Sequence, residues 1–155
     1  MIHFSNPWSD MKNCIEQIHS ITKRVVESGQ YIGGVEVEEF EEKFALYNNV
    51  KYCVGVGNGT DAIEIALRSV GVSEGDSVLL TSNAGGYGST ACAAIGAEML
   101  YVDIDEKYLQ MDPKKIKSVI NCKTKALILT HLYGFVNDVS KFRSALDNIG
   151  FQNVK

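Results

Sequence analysis

The residues best suited to chemistry form a glycine-rich turn, Val54-Gly55-Val56-Gly57-Asn58-Gly59-Thr60-Asp61-Ala62. Three glycines alternate at the end of a strand-like run, and Thr60-Asp61-Ala62 opens an apolar helical pattern. Glycine allows an anion to approach the backbone closely. The first turn of a helix also presents unpaired N–H groups and roughly half a positive charge. The turn is therefore predicted to hold a phosphate group at a helix N-terminus.

The same turn leaves three interpretations open. Gly57–Ala62 fits the G-x-G-x-x-A pattern of dinucleotide-binding proteins. That fold expects an acidic residue about 20 residues further on, to hold the ribose hydroxyls. Here the next predicted strand ends in Leu80-Thr81-Ser82-Asn83, without a carboxylate. The other two interpretations are a tight strand-to-helix turn without a ligand and a site for a different phosphate.

Hydrophobic periodicity predicts two helices that precede the turn and an alternation of strands and helices that follows it. The first helix spans residues 10–28, with Ser9 as N-cap and Gly29 as its stop. The second carries Val37, Phe40, Phe44 and Tyr47. The predicted strands are Lys51–Val56, Ser77–Leu80, Met99–Val102 and Lys125–Thr130, and the predicted helices are Ala62–Val70, Gly88–Ile95, Asp112–Ile120 and Val139–Ile149.

This alternation predicts a parallel α/β sheet with right-handed crossovers and helices on both faces. The almost wholly apolar Ala62–Val70 helix is expected to be buried. Ligands of such sheets lie beyond the carboxyl ends of the strands. We expect a helical N-terminal segment at 1–50 and an α/β domain from 51 to 155. The chain ends where the alternation calls for another strand, so we expect it to be cut within a domain.

Composition excludes several classes of function. The 155 residues carry a net charge of −4 without a basic cluster, which argues against a nucleic-acid partner. No apolar run approaches the ~18 residues needed to span a bilayer. The N-terminus lacks the pattern of a signal peptide, so we expect a cytoplasmic protein without membrane contact. Four scattered cysteines and three histidines show no metal-ligand spacing, and no metal site is expected.

Several motifs, in order, resemble the sugar-nucleotide aminotransferase family of the DegT/DnrJ/StrS type. The similarity spans about residues 24–150 and extends beyond the Gly59-Thr60-Asp61-Ala62 turn. It is carried by segments that follow one another as in the family: Tyr31–Glu41, Gly75–Leu80, Tyr87-Gly88-Ser89-Thr90-Ala91, Gly96-Ala97 through Val102-Asp103-Ile104-Asp105, Thr124–Ile128 and His131-Leu132-Tyr133-Gly134. The chain departs from the family's usual residues at Asn83–Gly86.

The resemblance implies the N-terminal portion of the large domain of a pyridoxal phosphate (PLP)-dependent transferase of the aspartate aminotransferase type. In this family the Gly-Thr pair holds the phosphate of PLP, which corresponds to Gly59 and Thr60, with Asp61 beside them at the helix start. Tyr87 matches the aromatic residue that stacks on the pyridine ring. Tyr31 and Gly33 lie in the segment that is near the nucleotide sugar in relatives. His131 is interpreted as structural, since acid–base catalysis in this family belongs to a lysine.

The resemblance further implies an enzyme of amino-sugar, polysaccharide or lipopolysaccharide biosynthesis. It would transfer an amino group, usually from glutamate, to a keto-sugar nucleotide, and it would act as a homodimer. The lysine that forms the Schiff base and the aspartate that pairs with the pyridinium nitrogen are expected beyond Lys155. No catalytic residue is therefore expected in this chain, and the chain alone is expected to be inactive. Two alternatives stay open, a non-catalytic dimerisation or binding module and an NAD-type domain.

Overall fold

The computed structural model describes residues 5–155, which divide into one unit up to Gly55 and a second from Val56 to Lys155. The first unit is helical. Its helices are α1 (Pro7–Met11), α2 (Ile15–Ser28) and α3 (Val35–Tyr47), and a 3₁₀ turn, Lys12–Cys14, joins α1 to α2. Gly29 ends α2 in the left-handed conformation, with φ of 68°, as predicted.

The prediction of a single helix at 10–28 is wrong for the start of this segment. Pro7 begins α1, because a proline tolerates the first turn, where its missing N–H costs nothing. Ser9 therefore lies inside α1, and Asn6 is at the N-cap position. Cys14 then interrupts the helical backbone, with φ of −113° and ψ of 5°.

The second unit is a three-stranded parallel sheet with helices on both faces, as predicted. Its elements in chain order are α4 (Gly59–Ser69), β1 (Ser77–Thr81), α5 (Tyr87–Ile95), β2 (Glu98–Val102), a 3₁₀ helix (Pro113–Ser118), β3 (Thr124–Ile128), a 3₁₀ turn (Leu132–Gly134) and α6 (Val139–Asn148). The strand order is β2-β1-β3, and Leu79 of β1 pairs with Leu100 of β2 and Leu127 of β3.

Two apolar cores lie against this sheet. Val78 and Leu80 of β1 pack with α4 and α5, where Leu67 and Cys92 are buried. Leu79 faces the other core, whose members come from β2, the 3₁₀ helix, α6 and the last residues of the chain, including Val102, Ile116, Phe142, Leu146 and Val154. Successive strand residues point to opposite faces, so the short apolar strand β1 serves both cores.

Lys51–Val56 does not form the predicted strand. A strand needs a neighbouring strand for its backbone hydrogen bonds. Among residues 5–155 none pairs with this segment, whose Gly55 N–H donates instead to the Glu41 carboxylate. At the other end of the chain, Lys155 donates to Lys125 and accepts from Leu127, which is the parallel pairing pattern beside β3.

Two further expectations require correction. Helix α4 is not wholly buried, because only Leu67 is buried along it and Ile65 is 53% exposed. The Asp112-Pro113 start is confirmed, and the Asp112 carboxylate accepts from the Lys114 N–H at 2.9 Å. The helix that follows is a 3₁₀ helix and ends at Ser118 instead of Ile120.

Candidate cofactor-binding site

The N-terminus of α4 is capped by Asn58, whose backbone is extended with φ of −165°. Its side-chain Oδ1 accepts hydrogen bonds from the backbone N–H groups of Thr60 at 2.9 Å and Asp61 at 3.0 Å. Asparagine is among the preferred N-cap residues because its oxygen satisfies these otherwise unpaired donors. Two first-turn donors of the turn are therefore already used within the protein.

Two other donors of this turn stay available. Within residues 5–155, neither the Gly59 N–H nor the Thr60 hydroxyl has a hydrogen-bond partner. Both residues line a pocket of about 380 Å³ together with Asn58, Ile63 and Tyr87. A Cβ atom added to Gly59 would meet no atom within 4 Å, so the absent side chain leaves open space beside the free N–H. The pocket thus combines backbone and hydroxyl donors with an aromatic wall.

Tyr87 begins α5, directly after Gly86, whose φ is 78°. Its ring lies against Gly85, where an added Cβ would be 3.0 Å from the ring atom Cε2. The side chain is 66% exposed. Tyr87 also lines a second cavity of about 450 Å³, which lies at the carboxyl ends of β1 and β3 beside Thr81 and Thr130. The tyrosine therefore borders both cavities.

Asp61 is not among the residues that line the pocket. Its carboxylate accepts from the Asn58 Nδ2 at 2.9 Å. A Cβ atom at Gly57 would lie 2.7 Å from the same carboxylate, so a side chain at this position would displace the Asp61 carboxylate. Gly57 and Gly59 therefore serve different purposes, one making room for a side chain of the turn and the other leaving space in the pocket.

Of the predicted cofactor residues, the structure thus brings Gly59, Thr60 and Tyr87 into one pocket and directs Asp61 to the cap. Tyr31 and Gly33 belong to the first unit. The Tyr31 hydroxyl donates to the Val26 carbonyl at 3.3 Å while the side chain is 68% exposed, and Gly33 has a φ of 65°. Their assignment to the nucleotide sugar remains a prediction.

Two residues of the pocket were missing from the sequence prediction, Asn58 and Ile63. A signal for Asn58 is present in the sequence, since an N-cap residue followed three positions later by an acidic residue resembles a capping box. No comparable signal exists for Ile63, because one apolar residue of an amphipathic helix looks like any other. Only the approach of α5 to α4 makes it a wall of the pocket.

The His131 and Asn137 side chains of the second unit are engaged in structural contacts. His131 Nδ1 accepts from the Asn137 N–H at 3.2 Å, and Asn137 Nδ2 donates to the Thr130 carbonyl at 2.8 Å and to Gln110 Oε1 at 3.2 Å. This supports a structural interpretation of His131. Cys92 is buried, and burial raises the pKa of its thiol, as expected of an inert core cysteine.

Residues 5–155 contain no group of three or more His, Cys, Asp or Glu side chains that could hold a metal ion. Over the same residues, no helix has both the length and the apolar character needed to cross a membrane.

Comparison with known proteins identifies relatives over almost the whole chain. Residues 13–152 match the profile of the DegT/DnrJ/EryC1/StrS aminotransferase family. A dTDP-3-amino-3,6-dideoxy-alpha-D-galactopyranose transaminase from Aneurinibacillus thermoaerophilus is 42% identical over 119 residues, which cover 77% of this chain and 33% of the relative.

Solved structures agree with this match. The DesV protein of S. venezuelae superimposes with a TM-score of 0.88 at 32% identity, covering 96% of this chain and 40% of that one. The Bacillus subtilis protein NtdA, solved with bound cofactor PMP, gives a TM-score of 0.82 at 31% identity, covering 88% of this chain and 32% of that one. The chain therefore spans about a third to two fifths of the length of these relatives.

Proposed function

The chain belongs to the DegT/DnrJ/EryC1/StrS aminotransferase family, and on that basis we propose that it supplies the cofactor-phosphate site of a PLP-dependent aminotransferase. Its fold is the N-terminal portion of the large domain of that enzyme class. The observation that carries the proposal is the pocket at the start of α4, where an unpaired N–H, an unpaired hydroxyl and an aromatic ring meet.

The residues present fit a phosphate group. Among residues 5–155 the Gly59 N–H and the Thr60 hydroxyl have no hydrogen-bond partner, and an added Cβ at Gly59 would meet no atom within 4 Å. The partial positive charge at the N-terminus of α4 adds an attraction for an anion. The five lining residues include no basic side chain, so within this pocket the backbone, the hydroxyl and the helix dipole are the groups that attract the phosphate.

Tyr87 would hold the ring of the cofactor. An exposed tyrosine face that borders the phosphate pocket suits an offset stack with a planar heterocycle. The Tyr87 ring lies against Gly85, where an added Cβ would be 3.0 Å from its Cε2 atom. When bound, PLP supplies an electron sink that allows an amino group to leave the donor and join the acceptor. In this account the residues of the chain bind and orient the cofactor.

We further propose that the amino acceptor is a keto-sugar nucleotide and that the amino donor is an amino acid, with glutamate as the first candidate. Support for the acceptor comes from the dTDP-sugar transaminase among the relatives. Tyr31 and Gly33 are our candidates for contact with the nucleotide sugar. A homodimer is part of the same proposal, in line with the resemblance. The catalytic lysine and the aspartate that pairs with the pyridinium nitrogen are assigned to the part of the relatives that this chain does not span.

The test is a comparison of pyridoxamine phosphate (PMP) with pyridoxamine, which lacks the phosphate. The full-length protein that carries this chain is titrated with each compound by isothermal calorimetry. We expect PMP to bind at least tenfold more tightly, since charge-assisted hydrogen bonds to a phosphate contribute about 1.5–3 kcal/mol each. Equal affinity for the two compounds would overturn the proposed site.

A further inference from the structure

The second contact made by the Asn58 side chain is what gives the cap a defined orientation. An asparagine amide can point either its oxygen or its nitrogen at the backbone, and only the oxygen can accept from N–H groups. Here the oxygen faces Thr60 N and Asp61 N while the nitrogen donates to the Asp61 carboxylate at 2.9 Å. A reversed amide would direct its oxygen at that carboxylate, which offers no proton in its ionised form.

The Asp61 carboxylate is thus held over the turn by the Asn58 amide and is accommodated by the bare Cα of Gly57. An acidic side chain near a phosphate site would ordinarily repel the ligand. Asp61 does not line the pocket, and its carboxylate accepts a hydrogen bond from the Asn58 amide. With Thr60 N and Asp61 N occupied by the cap, the Gly59 N–H and the Thr60 hydroxyl are two donors at the pocket that have no partner among residues 5–155.

We propose that Asp61 is a positioning residue, which acts on the cofactor phosphate only through Asn58. Its carboxylate orients the Asn58 amide, the amide fixes the first turn of α4, and the fixed turn presents the Gly59 N–H and the Thr60 hydroxyl to the phosphate. This inference rests on the proposed function. It differs from the assignment of Asp61 as a residue that contacts the cofactor.

Two substitutions separate positioning from simple charge. Asp61→Asn keeps an oxygen that can accept from Asn58 and removes the negative charge. Asp61→Ala removes both. Positioning predicts that Asp61→Ala weakens PMP binding by about three- to tenfold, the size expected for loss of a cap. It also predicts that Asp61→Asn binds PMP at least as tightly as the wild type. If only charge mattered, both variants would bind PMP more tightly, and to the same extent, which would overturn the proposal.

A double-mutant cycle tests the route of the effect. Because Asp61 is proposed to act through Asn58, Asp61→Ala should have no further effect on PMP affinity in an Asn58→Ala background. Additive effects would contradict the proposal. Pyridoxamine serves as the matched ligand, since without a phosphate it should bind all variants alike, whereas a general structural defect would weaken both ligands.

Asn58→Ser provides a second route should Asp61→Ala fail to fold. It keeps a capping oxygen, removes the amide donor to Asp61 and adds no charge, so the same three- to tenfold loss of PMP affinity is expected. Wild-type affinity in Asn58→Ser would count against the proposal. Failure of the proposed function and failure of the positioning role give different results. A wild type that does not prefer PMP over pyridoxamine refutes the phosphate site itself. A preference that Asp61→Ala leaves unchanged refutes only the positioning role.

Discussion

At the scale of single residues, the turn before α4 divides its polar atoms between two tasks. The Asn58 side chain donates to the Asp61 carboxylate and accepts from two backbone N–H groups. Among residues 5–155, the Gly59 N–H and the Thr60 hydroxyl at the pocket have no partner. This division explains why the acidic residue Asp61 lies beside a site for a negatively charged phosphate. Such a turn can be rigid before the ligand binds, which lowers the ordering cost of binding.

Removal of the Thr60 hydroxyl tests its share in binding. We expect Thr60→Ala to weaken PMP affinity about tenfold, because a hydrogen bond to a charged group contributes about 1.5–3 kcal/mol. Thr60→Ser keeps the hydroxyl and is the matched control, with affinity close to that of the wild type. Calorimetric titration with PMP measures both. A Thr60→Ala variant that binds PMP normally would remove Thr60 from the site.

Glycine substitutions distinguish binding from folding at the same turn. Gly59→Ala places a methyl group in open space, so we expect an unchanged or slightly higher free energy of unfolding together with weaker PMP binding. Gly88→Ala is the opposite case, because its Cβ would lie 2.9 Å from Leu80 Cδ2 and 3.3 Å from Ile128 Cδ1.

At Gly88 the overpacking is expected to lower the free energy of unfolding by about 1–2 kcal/mol. Urea denaturation followed by circular dichroism measures the two variants side by side. If Gly59→Ala unfolded more easily than Gly88→Ala, the assignment of open space at one and close packing at the other would be wrong.

At the scale of elements, the loops around the sheet are held by polar contacts that a pattern of apolar residues does not show. The buried Asn137 joins the loop after β3 to Gln110, which lies between β2 and the 3₁₀ helix. Replacing Asn137 by Ala leaves the Thr130 carbonyl without its side-chain partner. We expect the free energy of unfolding to fall by about 1–3 kcal/mol. Asn148→Ala, at the end of the α6 surface helix, is the control and should unfold like the wild type.

Several carboxylates at element ends have lowered pKa values. The Ser77 hydroxyl and then the Asn121 amide lower the pKa of Glu98, and the Ser73 hydroxyl and backbone lower that of Asp76. The Ser140 hydroxyl similarly lowers the pKa of Asp138 at the start of α6.

A carboxylate whose pKa is lower in the folded state binds fewer protons there than in the unfolded chain, so its stabilisation is complete above its ordinary pKa. It is lost as the pH falls through the folded value. We therefore expect the free energy of unfolding to be level near neutral pH and to decline below about pH 4. Urea unfolding at pH 7, 5 and 3 measures this. Glu98→Gln should show a shallower decline, and a wild-type stability that rises towards pH 3 would contradict the assignment.

At the scale of the whole molecule, the sequence predicts the strands of the α/β unit better than it predicts the segment that precedes α4. Strands β1, β2 and β3 are short apolar runs between turn residues, so periodicity places them to within two residues. Lys51–Val56 has the same local character and yet is not a strand, because strand formation depends on a partner that no local pattern reveals.

The candidate site shows the same limit. The resemblance to the family assigns Gly59, Thr60 and Tyr87 to one cofactor, and the structure brings the three residues into one pocket. The hydrogen bond from Asn58 Nδ2 to the Asp61 carboxylate depends on two side-chain rotamers, and the wall formed by Ile63 depends on helix packing. Neither can be read from residue types alone.

The chain alone is predicted to lack aminotransferase activity. The resemblance to the family assigns the Schiff-base lysine to a position beyond Lys155, and transamination needs that residue for proton transfer. The 155-residue chain is incubated with PLP and glutamate, and formation of 2-oxoglutarate is measured against free PLP as the blank. A rate equal to the blank is expected. Clear turnover above it would show that the chain carries its own catalytic base.

The most direct test of the central claim is a crystal structure of the protein that carries this chain, in complex with PMP. We predict that the phosphate lies within hydrogen-bond distance of the Gly59 N–H and the Thr60 hydroxyl, with the ring against Tyr87. The Asp61 carboxylate should still accept from Asn58 Nδ2. A phosphate bound elsewhere, with the pocket at the start of α4 empty, would contradict the account.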